Sequence, residues 1–216
     1  MASVGFALLK GIVPPRFEHL PYGVSLVWRL NNAVMDEVAD RHMPTFAYFQ
    51  HYRAVNSTLD GITLRLSALI EREGYLAYPV AASQSVHDAG PYAGAFPHKT
   101  VAVQAGLGWI GKNALFVSPT FGPRVRLASI LTNMPLPVAA TRMESRCGAC
   151  RLCVENCPAG ALTGEAYLPG APRETVFHPE ACSRYMKQSY RDIGRGAVCG
   201  ICISACPFGR TAQSKG

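Results

Sequence analysis

The chain has 216 residues, of which 49% are hydrophobic and 16% are charged. This length and composition exclude a disordered chain and allow one substantial core, or a core with a small appendage. The formal net charge of +7 suggests nucleic-acid binding at first sight, although that count treats every cysteine as neutral.

No segment of the sequence reads as an export signal or as a membrane span. The apolar stretch from Val4 to Leu9 is followed at once by Lys10 and has no small-residue cleavage site. No apolar run approaches the length needed to cross a membrane. We therefore expect a cytoplasmic protein that does not enter a membrane, and in a reducing compartment clustered cysteines are more often metal ligands than disulfide partners.

Predicted strands and helices alternate along the first part of the chain. The first elements are a strand from Val24 to Leu30, a helix from Ala33 to Arg41 opened by Asn31 or Asn32, a long helix from Thr45 to Glu73 stopped by Gly74, and a strand from Tyr75 to Ala81. The later elements are a short helix from Thr100 to Ala105 and strands from Ala114 to Ser118 and from Val125 to Leu131. This pattern predicts an α/β (α+β) N-terminal domain.

A long loop between Ser83 and His98 is rich in Gly, Pro, Ser and His. It is too long to serve only as a connection, and loops of this kind often carry sites. Asp88 lies within it and has two interpretations. It could act as a proton donor if burial raised its pKa, or it could simply cap a turn, which the residues by themselves favour.

Gly106, Gly108 and Gly111 form the pattern G-x-G-x-x-G. A dinucleotide-binding fingerprint needs a strand before this pattern and a helix after it, whereas here a helix precedes and a strand follows, which argues against NAD. Two interpretations remain. The glycines could let the backbone approach a flat or anionic ligand, with Lys112 offering a positive charge, or they could form a tight turn that packs Trp109 into the core.

All eight cysteines lie between Cys147 and Cys206. The proline-containing stretch Asn133 to Ala140 before them reads as an extended connector. The composition therefore predicts two domains, residues 1–140 and residues 141–216.

The cysteine spacing predicts two 4Fe-4S clusters. The first run has the bacterial two-cluster spacing C-x2-C-x2-C-x3-C-P and contains Cys147, Cys150, Cys153 and Cys157. The second run contains Cys199, Cys202 and Cys206, and Cys182 can supply the ligand that this run lacks. One cluster is then held by Cys147, Cys150, Cys153 and distant Cys206, and the other by Cys182, Cys199, Cys202 and distant Cys157. Such swapped ligands bring two clusters close enough for electron transfer.

Zinc and disulfides are the alternatives for these cysteines. Zinc sites commonly use paired C-x2-C units, which neither run matches well, and the expected compartment disfavours disulfides. Eight thiolates around two cores of roughly +2 each would lower the charge by about four, to about +3. The basic balance thus indicates cluster compensation before it indicates RNA binding.

Aromatic and basic residues lie between the two runs. They are Tyr185, Lys187, Tyr190 and Arg191. They could line a docking face for a redox partner or RNA, or they could only cover a small module.

Several motifs together resemble the epoxyqueuosine reductase family. They are the turn Ala105 to Asn113, the segments Arg124 to Leu127 and Ser129 to Thr132, and the two cysteine runs in this order. The resemblance extends from Val24 to Phe208. This family and the related reductive dehalogenases join a corrinoid-binding α/β domain to a two-cluster ferredoxin-like module, so the resemblance implies the same fold here.

The resemblance also implies a function, cofactors and site residues. It implies base-off cobalamin, reduced through the clusters, and deoxygenation of the queuosine precursor in tRNA, with Asp88 as the proton donor. The residues that it places against the corrinoid are Gly106, Leu107, Gly108, Trp109, Gly111, Lys112 and Asn113. Because no D-x-H-x-x-G element occurs, a histidine-ligated corrinoid is not expected. From the chemistry, a ferredoxin or flavodoxin is the expected electron donor.

Three functions are therefore open at the level of sequence. The first is an iron-sulfur oxidoreductase in which the clusters feed electrons to a corrinoid or to a substrate. The family continues into a helical-repeat tail that helps hold tRNA, whereas this sequence stops at Gly216, so we expect a short member whose substrate is open. The alternatives are a non-enzymatic electron carrier that reduces a corrinoid partner, and an RNA-binding protein with structural clusters.

Overall fold

The computed structural model describes residues 3–86, 91–138 and 141–210. The strands are β1 (Ser3–Leu8), β2 (Tyr22–Arg29), β3 (Ala77–Val80), β4 (Trp109–Ile110), β5 (Phe116–Val117) and β6 (Val125–Thr132). The helices are α1 (Asn32–Arg41), α2 (Phe46–Arg72), α3 (His98–Gln104), α4 (Leu152–Glu155), α5 (Pro179–Ser189) and α6 (Ile201–Ser204). Short 3-10 turns lie at Pro15–Phe17, Arg173–Thr175, Gly194–Gly196 and Pro207–Gly209.

The predicted strands and helices of the first part are all present, with ends shifted by up to three residues. Gly74 follows the last turn of α2 with a φ of +85°, the left-handed conformation that favours glycine and ends a helix. Asn31 precedes α1, but its side chain makes no capping hydrogen bond. Its backbone N–H instead donates to Nε2 of His51 over 3.0 Å. Strand β1 was not predicted.

The chain divides into two compact units, each assembled from three segments. The first unit contains residues 1–29, 54–108 and 126–143, and the second contains residues 30–53, 109–125 and 144–216. Segments that precede residue 141 therefore contribute to both units. The domain boundary at residue 140, inferred from composition, stays a prediction.

The first unit is built on a four-stranded sheet with the order β1-β2-β6-β3. Strands β1 and β2 pair antiparallel, as do β3 and β6. Helix α3 packs on β1 and β2, and Gly23 permits this approach because a Cβ there would lie 2.8 Å from Val101. The core of this unit contains Ala7, Leu9, Phe17, Leu20, Val80, Phe96, Val101, Ala105 and Leu131.

The second unit contains little regular structure around its cysteines. Strands β4 and β5 form an antiparallel pair, and helices α4 and α6 have four residues each. Among the residues that the structure describes, no helix has the length and apolar content that a membrane crossing needs.

Arg124 is a buried charge in the second unit, with a side chain that is 2% exposed. Its Nη1 donates to Oδ1 of Asp36 on α1 over 2.6 Å, and its backbone carbonyl accepts from the N–H of Leu30 over 2.8 Å. Gly209 lies directly against it, since a Cβ at Gly209 would be 2.8 Å from Cγ of Arg124. Arg124 thus joins α1 to the turn that follows Cys206.

We expect Asp36→Asn to lower the free energy of unfolding by about 1–2 kcal/mol, because it leaves Arg124 buried without its counter-charge. The effect stays modest because Asp36 itself is 56% exposed and solvent screens the pair. Urea unfolding measures it. Asp40→Asn, which changes an exposed carboxylate on the same helix, is the matched control and should stay within about 0.5 kcal/mol of the wild type. Equal effects of both changes would contradict this role.

His98 begins α3 and is held by hydrogen bonds in the first unit. Its Nε2 donates to the carbonyl of Ala81 over 2.8 Å, and its Nδ1 lies 2.9 Å from the hydroxyl of Ser129. Burial lowers the pKa of His98 to about 4, and the positive charge of Arg126 acts in the same direction. His98 is therefore a neutral structural residue at neutral pH.

The lowered pKa of His98 predicts a loss of stability on acidification. The stabilisation is complete above the unfolded value of about 6.5 and declines as the pH falls towards about 4, because the unfolded state binds the proton more readily. Between about pH 7.5 and 5.5 we expect His98 to contribute a loss of about 1 kcal/mol. His98→Gln should reduce this dependence in urea unfolding, whereas His19→Gln, at an exposed site, should retain it. An unchanged pH dependence in His98→Gln would refute the assignment.

Candidate metal centre

The structure brings the eight cysteines together as two sets of four. The first cysteine set consists of Cys147, Cys150, Cys153 and Cys206. The second cysteine set consists of Cys157, Cys182, Cys199 and Cys202. These are the same sets that the ferredoxin spacing predicts, and the assignment of each thiol as a ligand stays a prediction.

A cavity opens at the first cysteine set. It is lined by all four members of that set together with Lys112, Asn113, Val117, Pro207 and Phe208. Burial raises the pKa of the Cys206 thiol to about 11, and the neighbouring thiols of Cys147, Cys153 and Cys150 raise it further, whereas a backbone hydrogen bond from Phe208 opposes the shift. Burial likewise raises the pKa of Cys153.

The second cysteine set depends on α5 and α6 for its geometry. Cys182 lies on α5 and Cys202 on α6, and Cys157 follows the end of α4. Burial raises the pKa of Cys182 to about 11, with Cys199 and Cys157 adding to the shift. The pKa of Cys202 is raised well above its usual value, first by burial and then by the other members of its set. Cys153 of the first set also acts on Cys202, so the two sets are neighbours.

These environments decide between the kinds of cysteine site. All eight cysteines are free thiols, which excludes disulfides in this structure. Among the described residues no three His, Cys, Asp or Glu side chains converge closely enough to hold one metal ion, which argues against mononuclear zinc. Four thiols around a cavity instead suit a larger inorganic core. Because burial opposes ionisation of the bare thiols, bound metal is what would stabilise them as thiolates.

The second half of the glycine turn lies against the first cysteine set. A Cβ at Gly111 would lie 2.8 Å from Oδ1 of Asn113 and 3.5 Å from Sγ of Cys147, so the close approach needs glycine. Nζ of Lys112 donates to the carbonyl of Gly148 over 2.8 Å, between the first two cysteines. Oδ1 of Asn113 accepts from the N–H of Leu115 over 3.1 Å, which fixes its side chain.

Trp109 is buried, with 2% of its surface exposed, as the packing interpretation of the turn predicted. Its ring meets that of Phe208 edge to face, with centroids 5.1 Å apart, and the guanidinium of Arg146 lies 5.8 Å from its centroid. Sequence reasoning missed Phe208 and Val117 as cavity residues. The position of Phe208 directly after Cys206 and Pro207 was the available signal.

The first half of the glycine turn belongs to the first unit. Gly106 has a φ of +67° after α3, and the side chain of Leu107 packs against the core of that unit beside Gly5. Helix α3 before the turn and strand β4 within it confirm that the pattern is not a dinucleotide fingerprint. Asp88 and His87 lie outside the described residues.

The residues between the cysteine runs separate into two groups. Tyr185 and Tyr190 are partly buried and pack edge to face, with ring centroids 5.7 Å apart. Burial raises the pKa of Tyr190, and the neighbouring Cys199 contributes next. Lys187 and Arg191 are exposed. The tyrosines therefore cover the second cysteine set, and the basic residues face solvent.

Comparison with known proteins places this chain among iron-sulfur proteins. A family model described as a 4Fe-4S double cluster binding domain matches residues 146–209. The epoxyqueuosine reductase of Listeria monocytogenes is 33% identical over 112 residues, which are 51% of this chain and 29% of that protein. The epoxyqueuosine reductase of a Synechococcus species is 30% identical over 185 residues, 85% of this chain and 54% of that protein.

Solved structures share the fold. A catabolic reductive dehalogenase superposes with a TM-score of 0.75 at 18% identity, covering 97% of this chain and 30% of that one. The epoxyqueuosine reductase of Streptococcus thermophilus gives a TM-score of 0.65 at 19% identity, with 98% and 63% covered. The chain thus spans about half or less of the length of the curated relatives given above.

The fold and the two cysteine sets define a mixed α/β protein with a double-cluster 4Fe-4S domain, as the sequence predicted. More particularly, the chain is a relative of the epoxyqueuosine reductases, which confirms the resemblance seen in its motifs.

Paired cysteine substitutions test which thiols share a cluster. Cys150→Ala with Cys206→Ala removes two ligands from one proposed cluster, so the purified protein should retain roughly four iron atoms of the roughly eight in the wild type. Cys150→Ala with Cys157→Ala removes one ligand from each cluster and should impair both. Iron and sulfide analysis with the visible spectrum measures this. The reverse pattern would show that each run holds its own cluster.

Proposed function

We propose that this chain is an iron-sulfur reductase of the epoxyqueuosine reductase type, with two 4Fe-4S clusters on the two cysteine sets. The observation that carries the proposal is the gathering of eight buried thiols into two adjacent sets of four. Thiolate is the usual ligand of such clusters, and closely adjacent clusters form a path for electrons. The names of the relatives support the reaction class.

The first cluster is the proposed exit for electrons. Lys112 and Asn113 line the cavity at the first cysteine set, and both belong to the turn that the family resemblance places against a corrinoid. When bound, cobalamin supplies a strongly nucleophilic cobalt for reductive chemistry. In this chain the ammonium of Lys112 contributes positive charge beside that cavity, and the buried amide of Asn113 holds the turn in shape. A substrate reduced directly at this turn is the other form of the same proposal.

The remaining assignments follow from the resemblance. We propose Asp88 as the proton donor, a low-potential ferredoxin or flavodoxin as the electron source, and the cytoplasm as the compartment. The substrate class is a nucleoside with a reducible epoxide, as in the named relatives, with tRNA as its carrier. Because the chain spans only part of those relatives, the substrate belongs to this proposal and not to the family relationship.

Anaerobic titration of the cluster-loaded protein with cobalamin tests the corrinoid. We expect stoichiometric conversion of the corrinoid to its base-off form in the visible spectrum. Lys112→Gln should weaken this binding, whereas Lys10→Gln, which also removes one exposed lysine, should not. No conversion by the wild type would reject the corrinoid and leave a protein whose clusters meet a substrate or a partner directly.

Asp88→Asn tests the proton donor. With epoxyqueuosine-containing tRNA and a chemical reductant, we expect turnover to fall by about 100-fold or more, because general-acid catalysis contributes roughly that factor. The clusters should remain at wild-type iron content. Asp40→Asn is the control for a carboxylate change on the surface. Full turnover in Asp88→Asn would eliminate this residue as the donor, and the absence of turnover by the wild type would favour an electron carrier.

A further inference from the structure

Helix α5 has two different faces. Its inner side carries Cys182 of the second cysteine set, and Tyr185 follows one turn later. Tyr190, at the end of the helix, lies beside Cys199 and Cys157 of the same set and is hydrogen-bonded to the hydroxyl of Tyr185. The proposed second cluster therefore lies directly beneath this helix.

The outer side of α5 is basic. Arg184, Lys187 and Arg191 are all exposed, and their spacing of three and four residues places them on one helical face. Residues 180–195 contain four basic residues against the two acidic residues Glu180 and Asp192. Glu180 is 79% exposed and approaches Arg184 only to 4.0 Å, so solvent screens this pair strongly.

Arg195 extends this surface. It has a left-handed φ of +57°, which is uncommon for a residue with a side chain. The glycines on either side hold it there: a Cβ at Gly194 would lie 2.3 Å from the ring of Phe49, and one at Gly196 would lie 2.7 Å from Cα of Lys187. The turn is thus packed against α5, which fixes exposed Arg195 beside Lys187. Arg184, Lys187, Arg191 and Arg195 together form what we call the basic face.

The charge of this surface has a consequence for electron transfer. Four thiolates around a core of roughly +2 leave about −2 on each cluster, which repels an anionic protein. The basic face reverses that field at the surface nearest the second cluster. One helix diameter, about 10–12 Å with side chains, is all that separates the two sides of α5.

We propose that the basic face of α5 is the docking site for an acidic protein electron carrier that reduces the second cluster. This inference rests on the proposed function, which places a cluster on the second cysteine set. In each encounter one electron leaves the reduced carrier and one cluster core gains it, and no atom is transferred. Electrons then enter at the second set and leave at the first, beside Lys112.

Charge reversal tests this docking site. The variant is Lys187→Glu with Arg191→Glu, and its matched control is Lys10→Glu with Arg65→Glu, which makes the same charge change at exposed sites of the first unit. The probe is an acidic flavodoxin in its reduced form, mixed with the cluster-loaded protein in a stopped-flow spectrometer. We expect the rate of cluster reduction to fall by at least about tenfold at low ionic strength in the variant only, and the difference to shrink with added salt.

Two further measurements separate the possible failures. Reduction by dithionite, a small reductant, should stay the same in all three proteins if the clusters are intact. Calorimetric binding of oxidised flavodoxin, which needs no electron transfer, should weaken in the variant and not in the control. Loss of iron from the wild type would refute the proposed function, whereas equal flavodoxin binding and equal reduction rates in variant and control would overturn the docking site. Unchanged flavodoxin behaviour with weakened tRNA binding would overturn it in favour of RNA.

Discussion

The structure of the second unit depends on the burial of eight thiols in two adjacent sets. Helices α4 and α6, which carry Cys153 and Cys202, have four residues each and are too short to be stable by themselves. Desolvation raises the pKa of several of these thiols, so bare thiolates are unfavourable in this environment. Iron-thiolate bonds would both relieve that cost and tie distant segments together, as metal binding does in other small metal-containing domains.

The same constraint connects the cysteine region to earlier parts of the chain. Gly111 brings the backbone to Cys147, and Lys112 donates to the carbonyl of Gly148 within the first cysteine run. Arg124 lies against Gly209, just beyond Cys206, while binding Asp36 on α1. A cluster on the first cysteine set would therefore be surrounded by residues from both sides of the compositional boundary, which is the arrangement that a reductase needs if electrons are to reach a ligand at the glycine turn.

Much of this organisation could be predicted because its signals are local. Apolar residues at spacings of three and four predicted α2, and Gly74 predicted its end, because both depend on neighbouring residues along one helix. Strand β1 was missed, since an apolar run of six residues does not by itself distinguish a strand from other buried segments. The burial of Arg124 was also missed, because only long-range packing against Asp36 and Gly209 makes a buried guanidinium tolerable.

The sequence by itself determined the chemistry of the cysteine centre. Three ligands of each predicted cluster can be assigned from spacing, and the number of remaining cysteines leaves one distant partner for each. The tertiary structure decided what surrounds them: Lys112 and Asn113 beside the first set, the packed tyrosines over the second, and a basic face on the outer side of α5. Ligand spacing follows the covalent chain, whereas the surroundings of a site arise from contacts between segments far apart in sequence, which no local pattern specifies.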